Sequence, residues 1–414
     1  MHHVLIGNGI AGATAARHIR KADPDARITM VSEEGLVPFS RTALMYVYMG
    51  TLTREHTELY PERFWEESRV ERVLDRALAL DPAARTVTLA RGGALDYDRL
   101  LVATGARTSF PPWPGVELDG VQGLVHWQDL DRLEALTPRV RRGVVIGGGL
   151  IGVEFAEMLA VRGVPTTFLV RERHYLSAAF TRAESDRVER AIRAHGVDLR
   201  MGAEAERFDG DGRVEAVTLK TGERLPADVV GVGTGVRPNA EWLGDAVERD
   251  GGVLVDAEMR ASAPGVFAAG DVAVLRDPPA GVPSRQPIWY RARLQGALAG
   301  LGMAGRPRAF APGVFYNSAK FFDLEWQTYG AAGGADLPDG HADWLWESSA
   351  GADRSVRIRT AGGRVVGVNA LGVRLRQETC ARWIAEGWPL DRARADLHAA
   401  RFDPELTSAP FVTA

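Results

Sequence analysis

Two glycine triplets constrain this chain more than any other feature. Residues 2–12 read HHVLIGNGIAG, so Val4-Leu5-Ile6 runs straight into Gly7, Gly9 and Gly12. Residues 144–152 read VVIGGGLIG, and Val144-Val145-Ile146 runs into Gly147, Gly149 and Gly152, 140 positions later. An apolar strand followed by this spacing and a helix opens a βαβ unit that holds a dinucleotide. The first glycine permits a tight turn, the second lets backbone approach a pyrophosphate, and the third lets the helix pack on the sheet. The free N–H groups of the helix N-terminus then face the phosphates.

The flanking residues agree in both places. After the first triplet the pattern predicts a helix over about 10–22, broken by Asp23-Pro24-Asp25, and a strand over 27–32. That strand ends at Glu33-Glu34. Glu33, 21 residues past Gly12, is placed to accept hydrogen bonds from both hydroxyls of a ribose. After the second triplet a helix runs to Gly163 and a strand covers 165–171. Its end carries Arg171, Glu172 and Arg173. Arginine accommodates a ribose 2′-phosphate where an acid favours the free hydroxyl, so Arg171 and Arg173 lean towards NADP(H). Two readings compete. The arginines are solvated ends of a strand, or Glu172, one register away, binds the ribose and restores NAD(H).

Further segments fit the same plan. Residues 99–106 read as a strand entering Ala103-Thr104-Gly105, and 224–239 as a similar strand and turn through Gly235. Asp271 falls just past a short strand within 265–273 and before an expected helix. Beyond about 310 the composition changes, and five of the ten tryptophans lie there. Strand-like stretches, a Gly362-Gly363 hairpin turn and a helix near 375–387 suggest a separate α+β domain. The fold expected is α/β: two Rossmann-like three-layer nucleotide-binding domains and a C-terminal α+β interface domain.

Composition removes several classes of function. The net charge of −4 gives no reason to expect nucleic acid. Cys380 is the only cysteine, so the chain has no internal disulfide, CxxC pair or thiolate cluster. No apolar run reaches membrane-span length, and no apolar leader precedes the first strand, which points to a cytoplasmic protein. The nine histidines form no HxxxH or HxH pair, so no metal is expected.

The ordered series Gly7-x-Gly9-x-x-Gly12, Glu33, Ala103-Thr104-Gly105, Gly147-x-Gly149-x-x-Gly152, Gly235-Val236-Arg237-Pro238-Asn239 and Ala269-Gly270-Asp271 resembles the two-dinucleotide flavoprotein reductases. These are also called the pyridine nucleotide–disulfide oxidoreductase superfamily. The resemblance implies FAD at the first site and NADPH or NADH at the second, with hydride passing from the nicotinamide to flavin N5. It implies a discontinuous FAD domain over 1–113 and 253–310, an NAD(P)H domain over 114–252 and an interface or dimerisation domain over 311–414. Asp271 would then hydrogen-bond the FAD ribityl or pyrophosphate region. A helix beginning near Tyr290 would point its N-terminus at the flavin pyrimidine.

Departures narrow the branch. Thr42 stands by loose alignment where some relatives carry a redox cysteine, and threonine forms no persulfide or sulfenic acid. Cys380, late in the chain, reads as an inert buried residue. "EEGLVPFSRTAL" (33–44) resembles the ferredoxin, rubredoxin and putidaredoxin reductases and apoptosis-inducing factor, and keeps Glu33, Pro38, Phe39, Arg41 and Leu44. Their lysine falls at Tyr46 here. That lysine pairs with a glutamate on the second nucleotide helix, here Glu154. Without it, Glu154 has three options: pairing with Arg41, hydrogen bonding to Tyr46, or a raised pKa. "NSAKFFDLEWQTYG" (317–330) resembles the interface-domain start of NADH oxidases and coenzyme A disulfide reductases, which would put Lys320 near the flavin edge; a core-edge lysine is the plainer alternative.

The resemblance implies electron transfer to a ferredoxin- or rubredoxin-like carrier. Oxidase or quinone reductase activity, or a redox-responsive binding role like that of apoptosis-inducing factor, are the competing readings. Glu154, Tyr46 and Lys320 are the catalytic candidates. Gly7, Gly9, Gly12, Glu33, Arg41, Thr104, Gly105, Gly147, Gly149, Gly152, Arg171, Arg173, Gly235 and Asp271 are the cofactor-binding candidates. A homodimer is expected from the interface-domain resemblance.

Overall fold

The computed structural model describes residues 1–348 and 354–402. The chain divides into two compact units. The first holds Met1–Ser109, Leu124–Ala135 and Gly235–Pro312; the second holds Phe110–Gly123, Leu136–Thr234 and the chain from Gly313 onwards.

The first unit is built on a five-stranded parallel sheet ordered Val266–Ala268, Arg99–Val102, His2–Ile6, Arg27–Ser32 and Val70–Leu74. Val4, Leu5 and Ile6 are at most 4% exposed, because both faces of a parallel sheet are covered. Helix Ile10–Ala22 connects the first two strands and ends where Asp23 N–H donates to the Ile19 carbonyl. Its small residues allow close helix packing. Gly296 and Gly300 of helix Trp289–Met303 lie against the backbone of Ala11 and Ala15, where any Cβ would collide. The expected helix after Asp271 is not formed. Strand Ala273–Leu275 follows instead and pairs with Val253–Val255, and the helix starts only at Trp289. The run Val272–Leu275 is buried and pairs well as a strand.

His3 is the anomaly of this sheet. It is fully buried, and neither ring nitrogen has a hydrogen-bond partner among the described residues. Burial pushes its pKa down to about 4 from 6.5. A lowered folded pKa means the unfolded chain takes up the proton first. Stability is therefore lost as pH falls from 6.5 towards about 4, by on the order of 3 kcal/mol. His3→Val is expected to flatten that part of the curve of thermal midpoint against pH. An unchanged acid slope in the variant would remove His3 as the cause.

The second unit repeats the plan. Its parallel sheet runs Asp198–Met201, Thr166–Val170, Gly143–Ile146, Val229–Val232 and Val121–Gln122. Helix Leu150–Val161 follows the glycine turn, and helix Arg182–Ala194 opens with a Thr181/Glu184 capping box. The same unit contains a five-stranded antiparallel sheet ordered Tyr316–Phe321, Leu324–Gly330, Arg364–Leu371, Ser355–Ala361 and His341–Glu347. Helices Gln377–Ala385 and Leu390–Ala395 cover it, with Cys380 and Trp383 fully buried.

Two candidate nucleotide half-sites

The two glycine turns are built alike, bond for bond. Gly7 N–H donates to Val31 O at 2.8 Å, and Gly147 N–H to Leu169 O at 3.0 Å. Ala103 N–H donates to Ile6 O at 2.8 Å, and Gly233 N–H to Ile146 O at 2.7 Å. Gly7 and Gly147 hold φ of +108° and +111°, a region side chains avoid. A Cβ on Gly12 or Gly152 would strike the carbonyl of Gly7 or Gly147. Space opens instead at Gly9, with nothing within 4 Å of a Cβ, and at Gly149, where the nearest atom stands 3.9 Å away. The chain is crowded where helix meets strand and empty where a pyrophosphate would lie.

In the first unit, Glu33 ends its strand exposed, while Glu34 turns inward. Burial of Glu34 opposes ionisation, but hydrogen bonding to His126 and the Arg41 guanidinium outweigh it and hold the carboxyl at about 2. Arg41 grips it twice, at 3.1 and 2.7 Å, and Trp127 N–H donates to it at 2.7 Å. Arg41 thus braces the acidic turn. Asn8, inside the glycine loop, donates to Gly35 O at 2.7 Å and fixes the same turn. Thr104 donates to Asn239 O at 2.6 Å and Asn239 N–H to Gly105 O at 2.9 Å, so Gly105 and the strand following Gly235 stand together. Tyr46 sits half-buried in the short helix Leu44–Tyr48, its carbonyl receiving the Thr51 hydroxyl. Thr42 Oγ1 lies 3.1 Å from Ser40 Oγ.

Asp271 follows Gly270, whose Cβ position is 3.2 Å from Ala11 Cβ at the start of the first helix. Its carboxyl is half-buried and has no hydrogen bond within the unit. Burial raises its pKa, opposed by the charges of Arg41 and Arg285. Near the N-terminus of helix Trp289–Met303, Gln286 Nε2 and Trp289 Nε1 are buried donors without partners among the described residues. An unmatched acceptor, two unmatched donors and an open glycine fit a ligand rich in hydroxyl and carbonyl groups, as FAD is.

In the second unit, Arg171 is an exposed side chain whose Nε and Nη2 lie 3.2 and 3.1 Å from Glu172 Oε1. The other Glu172 oxygen is 3.5 Å from where a Cβ on Gly148 would stand, so this carboxylate flanks the glycine loop. Arg173 has no resolved contact with the loop. Tyr175, fully buried, donates to the carbonyl of Gly149 at 3.4 Å. Glu154 on helix Leu150–Val161 has no hydrogen bond among the described residues. Burial and the nearby charge of Glu157 push its carboxyl up to about 8. Lys320 pairs with Glu157, Nζ to Oε1, at 3.4 Å. Glu157 escaped the sequence reading, although its three-residue spacing from Glu154 on an apolar helix is visible there; Glu34, Tyr175 and Asn8 carry no comparable signal. Burial pushes the Cys380 thiol far up, which makes it unreactive. No group of residues suited to hold a metal occurs among the described residues. No helix among them is long and apolar enough to cross a membrane.

Two glycine turns of one construction, each joining a parallel strand to a helix, define a protein with two Rossmann-like folds. The family model described as pyridine nucleotide-disulphide oxidoreductase matches residues 1–296, and the chain belongs to that family. It is 32% identical over 324 residues to the NADH-dependent phenylglyoxylate dehydrogenase subunit epsilon of Aromatoleum evansii, covering 77% of each chain. It is 37% identical over 283 residues to the ferredoxin–NAD(+) reductase component of the biphenyl dioxygenase system of Paraburkholderia xenovorans, covering 65% of this chain and 66% of that one. The crystal structure of the ferredoxin reductase for the CYP199A2 system from Rhodopseudomonas palustris superposes with a TM-score of 0.80 at 26% identity, covering 90% of this chain and 91% of that one.

Proposed function

We propose that this oxidoreductase binds FAD in the first unit and NADH in the second, and passes electrons to a small ferredoxin- or rubredoxin-type carrier. The doubled glycine turn carries the reading, since one chain builds the same phosphate cradle twice. The ferredoxin reductases among its relatives support the class of acceptor.

Gly7, Gly9 and Gly12 would hold the FAD pyrophosphate, Glu33 its ribose, and Asp271 a hydroxyl or a bridging water. Gln286 and Trp289 would donate to carbonyl groups of the ring. When bound, the flavin supplies an acceptor for hydride that releases electrons singly or in pairs. Gly147, Gly149 and Gly152 would hold the second pyrophosphate. Glu172 beside Gly148 favours a free ribose 2′-OH and repels a 2′-phosphate. Arg171, already engaged by that carboxylate, is poorly placed to recruit one. NADH is therefore the preferred nucleotide, against the lean of the sequence towards NADPH.

An anaerobic titration of the purified protein, first with NADH and then with NADPH, tests this through bleaching of the oxidised flavin band. NADH should act at much lower concentration. Glu172→Ala should weaken the response to NADH by roughly tenfold or more, through loss of charge-assisted bonds to the ribose. A stronger response to NADPH would return the ribose site to Arg171 and Arg173. No bleaching with either nucleotide would defeat the reductase reading.

A further inference from the structure

Glu154 and Glu157 stand three residues apart on helix Leu150–Val161, so their carboxyls share one face. Their surroundings differ. Glu157 is buried, accepts from Lys320 Nζ at 3.4 Å and receives Phe322 N–H at 3.1 Å. Glu154 receives no hydrogen bond from the described residues. The Phe322 bond is built at a cost. Phe322 holds φ of +59° in the tight turn between strands Tyr316–Phe321 and Leu324–Gly330, a conformation that a bulky residue seldom adopts. Its ring stacks on His195 at 4.7 Å. A lysine, a strained backbone amide and a histidine thus converge on one glutamate, one helical turn from the other.

We propose that Lys320 and Glu157 are positioning residues for Glu154: their ion pair fixes a negative charge beside it, so that Glu154 enters the second nucleotide site as a proton donor and not as a carboxylate. This rests on the reading of that helix as part of an NADH site. Two carboxylates so close in a low-dielectric setting do not both ionise readily, and the partners decide which one does. Burial raises Glu157 too, but Lys320, the Phe322 amide and His195 hold it back. Nothing comparable restrains Glu154. Tyr175 is the other titratable group facing it, and burial keeps that hydroxyl protonated, donating to Gly149 O. A protonated Glu154 offers an O–H to a ligand carbonyl, as on a nicotinamide carboxamide, where a carboxylate only accepts.

The test is difference infrared spectroscopy of the flavin-loaded protein against pH, without nucleotide. The wild type should show a carboxylic-acid carbonyl band that is missing in Glu154→Gln and that fades around pH 8. Glu157→Gln, which keeps an acceptor for Phe322 N–H, should move the fading down by about one to two pH units, as removal of a unit charge at this range implies. Lys320→Met should move it the same way, because Glu157 then takes the proton. A band unmoved by Glu157→Gln, or moved up by Lys320→Met, overturns the proposal. NADH affinity of Glu154→Gln is measured separately by calorimetry. If it equals that of the wild type, the nucleotide role of Glu154 falls, whatever the infrared result says of the pair.

Discussion

Arg357→Ala is expected to destabilise the second unit by about 3–5 kcal/mol, the usual cost of stranding one partner of a buried ion pair. Arg357 and Glu184 are 2% and 1% exposed and meet at 3.0 Å. The guanidinium also donates to Ala332 O at 2.7 Å and Gly333 O at 2.9 Å, and Asn369 donates to Glu184 at 2.9 Å. Glu184 meanwhile completes the capping box at the start of helix Arg182–Ala194. Removing the arginine leaves a buried carboxylate whose other work, at the helix cap, prevents it from turning away. Calorimetry should show the midpoint of the affected transition falling by on the order of 10 °C. Arg357→Met combined with Glu184→Gln should cost clearly less than the sum of the single changes, because no charge is then stranded. A single-variant loss below about 1 kcal/mol would mean that water reaches this site.

The second large effect lies in the glycine turn of the same unit, where neighbouring glycines should fail differently. A Cβ on Gly152 collides with the Gly147 carbonyl and stands 3.1 Å from the Phe168 ring. Gly152→Ala must therefore push the helix off the sheet, and a displacement near 1 Å at a binding loop costs on the order of 100-fold. Both NADH affinity and the thermal midpoint should fall. Gly149→Ala meets almost no protein atom. It should leave the midpoint where it is and still lose most NADH affinity, since the methyl group occupies the space left for the pyrophosphate. Flavin should remain bound in both variants, because Gly12 and its turn belong to the other unit. Titration calorimetry with NADH beside thermal denaturation separates the cases. Gly149→Ala with wild-type affinity would show that the open space is not the ligand's.

Much of the site was legible because it is local. Helix Ile10–Ala22 and strand Arg27–Ser32 fall on the residues that the pattern marks, since capping, breaking and apolar runs act over a few residues. Asp271 is marked by its motif, but the segment after it forms strand Ala273–Leu275 where the sequence pattern predicts a helix. Strand pairing with Val253–Val255 decided that segment, and such a partner, distant in sequence, leaves no periodic mark. Adjacent acids were the hardest to assign. Glu33 and Glu34 differ by one position in a strand's end, so one faces solvent while the other is buried against Arg41 and His126. At Arg171 and Glu172 the sequence is equally ambiguous, and only folding places a Glu172 oxygen 3.5 Å from where a Cβ on Gly148 would stand.

By itself, the sequence determined that this chain folds twice around a glycine turn, that its lone cysteine forms no internal disulfide, and which family it joins, because each rests on short spacings or on plain counts. Only the tertiary structure decided that the C-terminal sheet packs in one unit with the second nucleotide fold, that Lys320 pairs with Glu157, and that Glu154 has no hydrogen-bond partner among the described residues. Those outcomes depend on which charges are buried together, and burial is set by segments well over a hundred residues apart, whose meeting no local pattern encodes.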